Sequence, residues 1–100
     1  MPEIGAIAHK VRSKNAGPFW VTIDIFCGTP IAYDRIVKGL STDRIAALFR
    51  CPVETIKRFD IADLMVVKFS LPRPAIQGTA TDRDMHGAAW GPLVAEVEIN

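Results

Sequence analysis

The sequence predicts an α+β fold, a mostly antiparallel sheet with a helical pair packed on one face, and three observations carry that prediction. Phe19 to Cys27 alternates strictly, with Phe19, Val21, Ile23, Ile25 and Cys27 on one side and Trp20, Thr22, Asp24 and Phe26 on the other. That is the period of two of a half-buried strand. Between Thr29 and Phe49 the apolar residues recur at spacings of three and four instead, which is the signature of amphipathic helices. A second β-rich run follows, in which Met65, Val67, Phe69 and Leu71 alternate. Strands on either side of a helical pair place the helices together on one face of the sheet.

Taken in order, Ile4 to Val11 alternates weakly and reads as a first strand. Arg12 to Pro18 (RSKNAGP) is polar, ends in Gly and Pro, and reads as the connection of a hairpin. Thr29-Pro30 begins a helix, because the hydroxyl can accept from orphan N–H groups and proline at the first position gives up no hydrogen bond. Tyr33, Ile36, Val37 and Leu40 form its buried stripe. Ser41 or Thr42 caps a second helix carrying Ile45, Leu48 and Phe49, which ends before Pro52. Ile56 to Ile61 and Leu64 to Leu71 read as strands. Pro72 to Gly91 shows little periodicity and reads as a long loop, a length that in compact domains often carries function. Leu93, Ala95, Val97 and Ile99 alternate and read as a closing strand, although Leu93 and Val97 alone would also suit a helix.

One hundred residues, 49% of them apolar, suffice for a single domain with its own core. Twelve Lys and Arg against eleven Asp and Glu give a net charge of +1, so no global field recruits nucleic acid or an anionic membrane. The sequence therefore points to a cytoplasmic protein with neither a nucleic-acid nor a membrane partner, and recognition must be local. No apolar stretch is long enough for a membrane span. Cys27 and Cys51 read as free thiols of a reducing compartment. Two Cys and two distant His do not make a zinc site, so neither metal nor cofactor is expected.

The leading candidate site is Arg12, Ser13, Lys14, Asn15 and Gly17, which places two cations, two hydrogen-bonding side chains and a permissive glycine in one short segment. Guanidinium forks and consecutive N–H groups bind carboxylate or phosphate. The spacing is neither a Walker loop nor a dinucleotide fingerprint, and the plainer reading is a solvated turn. Arg73, between two prolines, is a further anion contact. Asp84 and His86 form a possible acid/base pair in the long loop, although mixed charges there also suit a solvated surface. Ser41 to Arg58 imitates a helix-turn-helix that would bring Lys57 and Arg58 to DNA. Against it stand Arg50 at the turn and the strand-like run from Phe59.

The blocks HKVRSKNAGPFWVTIDIF, RIAALF, SLPRP and LVAEVEI resemble the small companion proteins found beside, or fused to, AtuA-like acyclic terpene utilisation proteins. The likeness runs from His9 to Ile99, and Ala75 to Trp90 departs most from the pattern. The resemblance implies a small subunit of a heteromeric complex with a larger AtuA-like protein. It implies a hydratase- or lyase-type step on branched or dicarboxylic acids or their CoA thioesters, with no turnover by the small chain alone. The matching positions are Arg12, Ser13, Lys14, Asn15 and Gly17, and Pro72-Arg73-Pro74. A non-catalytic structural or regulatory subunit is the alternative, and a homo-oligomer is possible.

Overall fold

The computed structural model describes residues 2–17, 19–73 and 90–99. Four antiparallel strands, β1 (Lys10–Asn15), β2 (Trp20–Phe26), β3 (Lys57–Ile61) and β4 (Val66–Pro72), form one sheet in the order β1-β2-β4-β3. Helices α1 (Ile4–Ile7), α2 (Pro30–Gly39), α3 (Thr42–Phe49) and α4 (Trp90–Ala95) complete the α+β architecture. No helix among the described residues is long and apolar enough to cross a membrane.

The alternation of β2 decides which face is covered. Val21, Ile23 and Ile25 are completely buried, and Val67, Phe69 and Leu71 beside them on β4 are equally so. Ile36 from α2, Leu40 just past its end, Ile45 from α3, Ile4 from α1 and Val94 from α4 close over this face. Each such side chain contributes about 1.5–3 kcal/mol on removal from water. Phe19 stands outside this stripe, 57% exposed beyond the strand end.

Both expected caps are present. Thr29 Oγ1 accepts from Ala32 N at 3.1 Å and Ser41 Oγ accepts from Arg44 N at 3.2 Å. Helix α3 ends where Arg50 turns left-handed, and the amide of Cys51 returns to Ala46 O. Arg58 then ties β3 to the end of α2. Its guanidinium donates to Leu40 O at 2.6 Å and Val37 O at 3.1 Å, pairs with Asp60 at 3.0 Å, and lies 5.3 Å from the Phe69 ring centre. Orphan carbonyls at a helix end are thereby satisfied by a cation, the charge that the helix dipole favours there.

Four expectations are corrected. Ile4 to Ile7 is a helix, because Ile4 is drawn into the core beside α4 and its amide donates to Val97 O at 2.8 Å. Arg12 to Asn15 is strand, paired residue by residue with Asp24 to Val21, so the hairpin connection is only Ala16 to Phe19. The closing segment is helix α4, in which Trp90 and Val94 lie one turn apart. Trp90 stacks on Phe49 with ring centres 4.5 Å apart, Val94 is buried, and Glu98 keeps a single bridge to Glu3. The second helix of a helix-turn-helix does not form: Val53–Thr55 is one 3₁₀ turn, and Lys57 and Arg58 open β3.

Arg58→Met keeps an apolar stem over Phe69 and removes the donors. It should lower unfolding free energy by about 1.5–3 kcal/mol, the worth of hydrogen bonds from a charged donor, as measured by urea denaturation. An unchanged midpoint would show that the end of α2 is held by other contacts.

Candidate functional site

A β-strand sends successive side chains to opposite faces, and β1 divides the sequence-predicted cluster accordingly. Ser13 and Asn15 are half-buried and lie on the helix-covered side. Ser13 Oγ accepts from the amide of Gly91 at 2.8 Å, fixing the first turn of α4 to the strand. Close approach is possible because Gly91 has no side chain: a Cβ there would sit 3.2 Å from Ser13 N and 3.3 Å from Arg12 C. Asn15 Oδ1 accepts from the guanidinium of Arg73, whose own amide donates to Phe19 O at 2.8 Å. Ser13, Asn15 and Arg73 thus all hold the structure together at the α4 end of the hairpin.

Arg12 and Lys14 lie on the opposite side, which none of the described helices covers, both exposed. Among the described residues neither has an ion-pair partner. Across the register from Arg12 stands Asp24, and beyond it on β4 stands Lys68. The Asp24 carboxylate is only 13% exposed, Lys68 Nζ is 3.7 Å from its Oδ1, and that oxygen accepts no hydrogen bond. Phe26 follows on the same face, with Lys10 Nζ 4.8 Å from its ring centre.

These residues line an open pocket of about 440 Å³, walled by Val11, Phe26 and Pro92 and carrying Arg12, Lys14 and Asp24 among its polar groups. Its volume falls within the range of small-ligand sites, and its apolar wall with a few charged groups has their chemistry. Arg12 and Lys14 can take a carboxylate or phosphate, Phe26 and Pro92 can take a hydrocarbon portion, and Asp24 can accept from a ligand hydroxyl.

The pocket was only half legible in advance. Asp24, Phe26 and Pro92 were not singled out, although Asp24 gives the signal, a carboxylate in the middle of the most apolar strand. Gly17 has φ +80° with open space around it, and serves the hairpin turn. Asp84 and His86 lie outside the described residues. The Cys27 thiol is pushed up by burial and then by the Asp60 carboxylate, so it is held in its unreactive protonated form. Among the described residues no three His, Cys, Asp or Glu gather to hold a metal ion.

Ser13→Ala leaves the Gly91 amide without its acceptor and should cost about 1 kcal/mol, as other helix-capping hydroxyls do. Thermal unfolding would register it, and a wild-type melting temperature would mean that α4 is seated by packing alone. Asp24→Asn removes the only carboxylate among the described residues lining the pocket and should tighten binding of a small dicarboxylate in calorimetry. Weaker binding would mean that the carboxylate itself contacts the ligand.

Residues 4–97 match the family model described as "Domain of unknown function (DUF4387)". No curated protein and no solved structure matches the chain.

Proposed function

The chain belongs to the DUF4387 family, and within it we propose an anion-binding accessory subunit that works with a larger protein. Arg12 and Lys14 hold the carboxylate or phosphate of an acidic metabolite, and Val11, Phe26 and Pro92 receive its apolar portion. The resemblance to companions of AtuA-like proteins suggests the larger subunit. It also suggests a hydratase- or lyase-type step on branched or dicarboxylic acids or their CoA thioesters.

The observation that carries this reading is the pocket's pair of cations, Arg12 and Lys14, without ion-pair partners among the described residues. Three other cations are committed within the fold: Lys38 pairs with Asp34 at 3.0 Å, Arg58 with Asp60, and Arg44 donates to Glu98 O at 2.6 Å, while Arg35 and Arg50 lie outside the pocket. Arg12 and Lys14 sit side by side on one strand face beside an apolar wall, where a charge-assisted contact to an anion would be worth about 1.5–3 kcal/mol. The pocket supplies no nucleophile–base pair among its described lining, so the chemistry belongs to the shared site and not to this chain alone.

A purely structural role is favoured for the other half of the cluster. Ser13, Asn15 and Arg73 are already engaged within the fold, and their contribution is to hold β1 and α4 in place. The two roles coexist on one strand because its faces differ.

Arg12→Ala combined with Lys14→Ala should leave the melting temperature unchanged, since both side chains are exposed, and abolish the activity of the joint complex. The same variant should weaken binding of a small dicarboxylate to the isolated chain by at least about tenfold. Full activity of the complex with this variant would refute the site.

A further inference from the structure

The sheet face that no described helix covers extends well beyond the pocket, and its charge is out of proportion to the rest of the described residues. Lys10, Arg12 and Lys14 from β1, Lys68 from β4 and Lys57 from β3 lie there, with Asp24 as their one carboxylate among the described residues. Among the described residues five of eleven cations and one of nine carboxylates are therefore on this face, leaving six cations against eight carboxylates elsewhere. The described part of a near-neutral chain is thus polarised, basic across this sheet face and mildly acidic over the remainder.

We infer that this face is the docking surface for an acidic polypeptide segment of the larger partner. The inference deepens the reading above by naming the partner's chemistry, and it depends on that reading only for there being a partner. Charge complementarity identifies the occupant. A second copy of the chain meeting face to face across a two-fold axis would set the same cations against one another. A polypeptide in extended form presents side chains on one side every 6.8 Å or so, and Lys10, Arg12 and Lys14 recur along β1 with that same spacing.

The aromatic residues support a protein over a nucleic acid. Single-stranded nucleic acid stacks successive bases on bare rings. Here Lys10 lies over Phe26, and Lys57 Nζ is 5.8 Å from the ring centre of Trp20. The two rings are six residues apart on β2, about 20 Å along the strand, too far for neighbouring bases. Phe59, 48% exposed on β3, adds an apolar contact at the far edge.

Four strands of this length cover roughly 450 Å², less than the roughly 800 Å² that a partner contributes to a standard interface. The contact is consequently small, steered by charge and sensitive to salt. Because the pocket opens at one corner of this face, docking would bring the partner against Arg12 and Lys14.

The test uses the full chain, isotopically labelled and followed by amide NMR, with poly-L-glutamate as the probe and an oligothymidylate of equal charge as the comparison. At about 50 mM salt poly-L-glutamate should shift amides of the four strands and spare those of α2, and the effect should fade by about 200 mM. Lys57→Glu combined with Phe59→Ser, both exposed and two strands from the pocket, should weaken this binding about tenfold while leaving dicarboxylate binding at Arg12 and Lys14 intact. Loss of dicarboxylate binding in Arg12→Ala with Lys14→Ala is a separate readout, so failure of either claim is seen independently. Shifts confined to other surfaces, or none, would overturn the docking face. Tighter binding of the oligothymidylate would overturn it in favour of nucleic acid, and a dimeric mass without probe would overturn it in favour of self-association.

Discussion

Everything in this molecule depends on the two-residue period of β2. Val21, Ile23 and Ile25 must leave water together, and the central position of β2 between β1 and β4 makes their face the floor of the core. Trp20, Thr22, Asp24 and Phe26 are then committed to the other side whatever their polarity. A shift of one residue in register would bury Asp24 and expose three β-branched side chains, so the pairing has no near competitor. The register also determines where the cations of β1 emerge, which gives the strand pattern a functional consequence.

Covering one face and not the other is achieved by a few directed contacts. Arg58 crosses from β3 to the last carbonyls of α2, the Phe49–Trp90 stack joins α3 to α4, and Ser13 fixes α4 to β1. All three lie on the helix side. The open side is held instead by lysine stems across aromatic rings and by the Asp24–Lys68 pair. The lysine–ring contacts are individually weak, and a bound partner or anion can replace them without loss of the fold.

Much of the architecture was legible because it obeys strong local rules. The alternation of β2 and β4 and the caps Thr29 and Ser41 each leave little choice of structure. The two ends of the chain were harder. Ile4 to Ile7 is too short to show a helical period, and Leu93, Ala95, Val97 and Ile99 alternate although the decisive contacts are Trp90 and Val94 one turn apart. Leu93, whose spacing to Val97 also suits a helix, is 46% exposed. RSKN looked like a turn because its residues are polar. It is an edge strand, whose two sides meet a half-covered margin and solvent, so its composition carries little strand signal. Within the site, Arg12 and Lys14 were visible by charge, whereas Asp24 and Phe26 required knowing which side of β2 remains open.

The most direct measurement is lysine footprinting of the chain within its native complex, comparing acylation rates with those of the isolated chain. A cationic sheet face turned toward a partner predicts strong protection of Lys10, Lys14, Lys57 and Lys68 with Lys38 on α2 labelled equally in both states. Equal labelling of the four sheet lysines in complex and isolated chain, or protection centred on Lys38, would contradict the account.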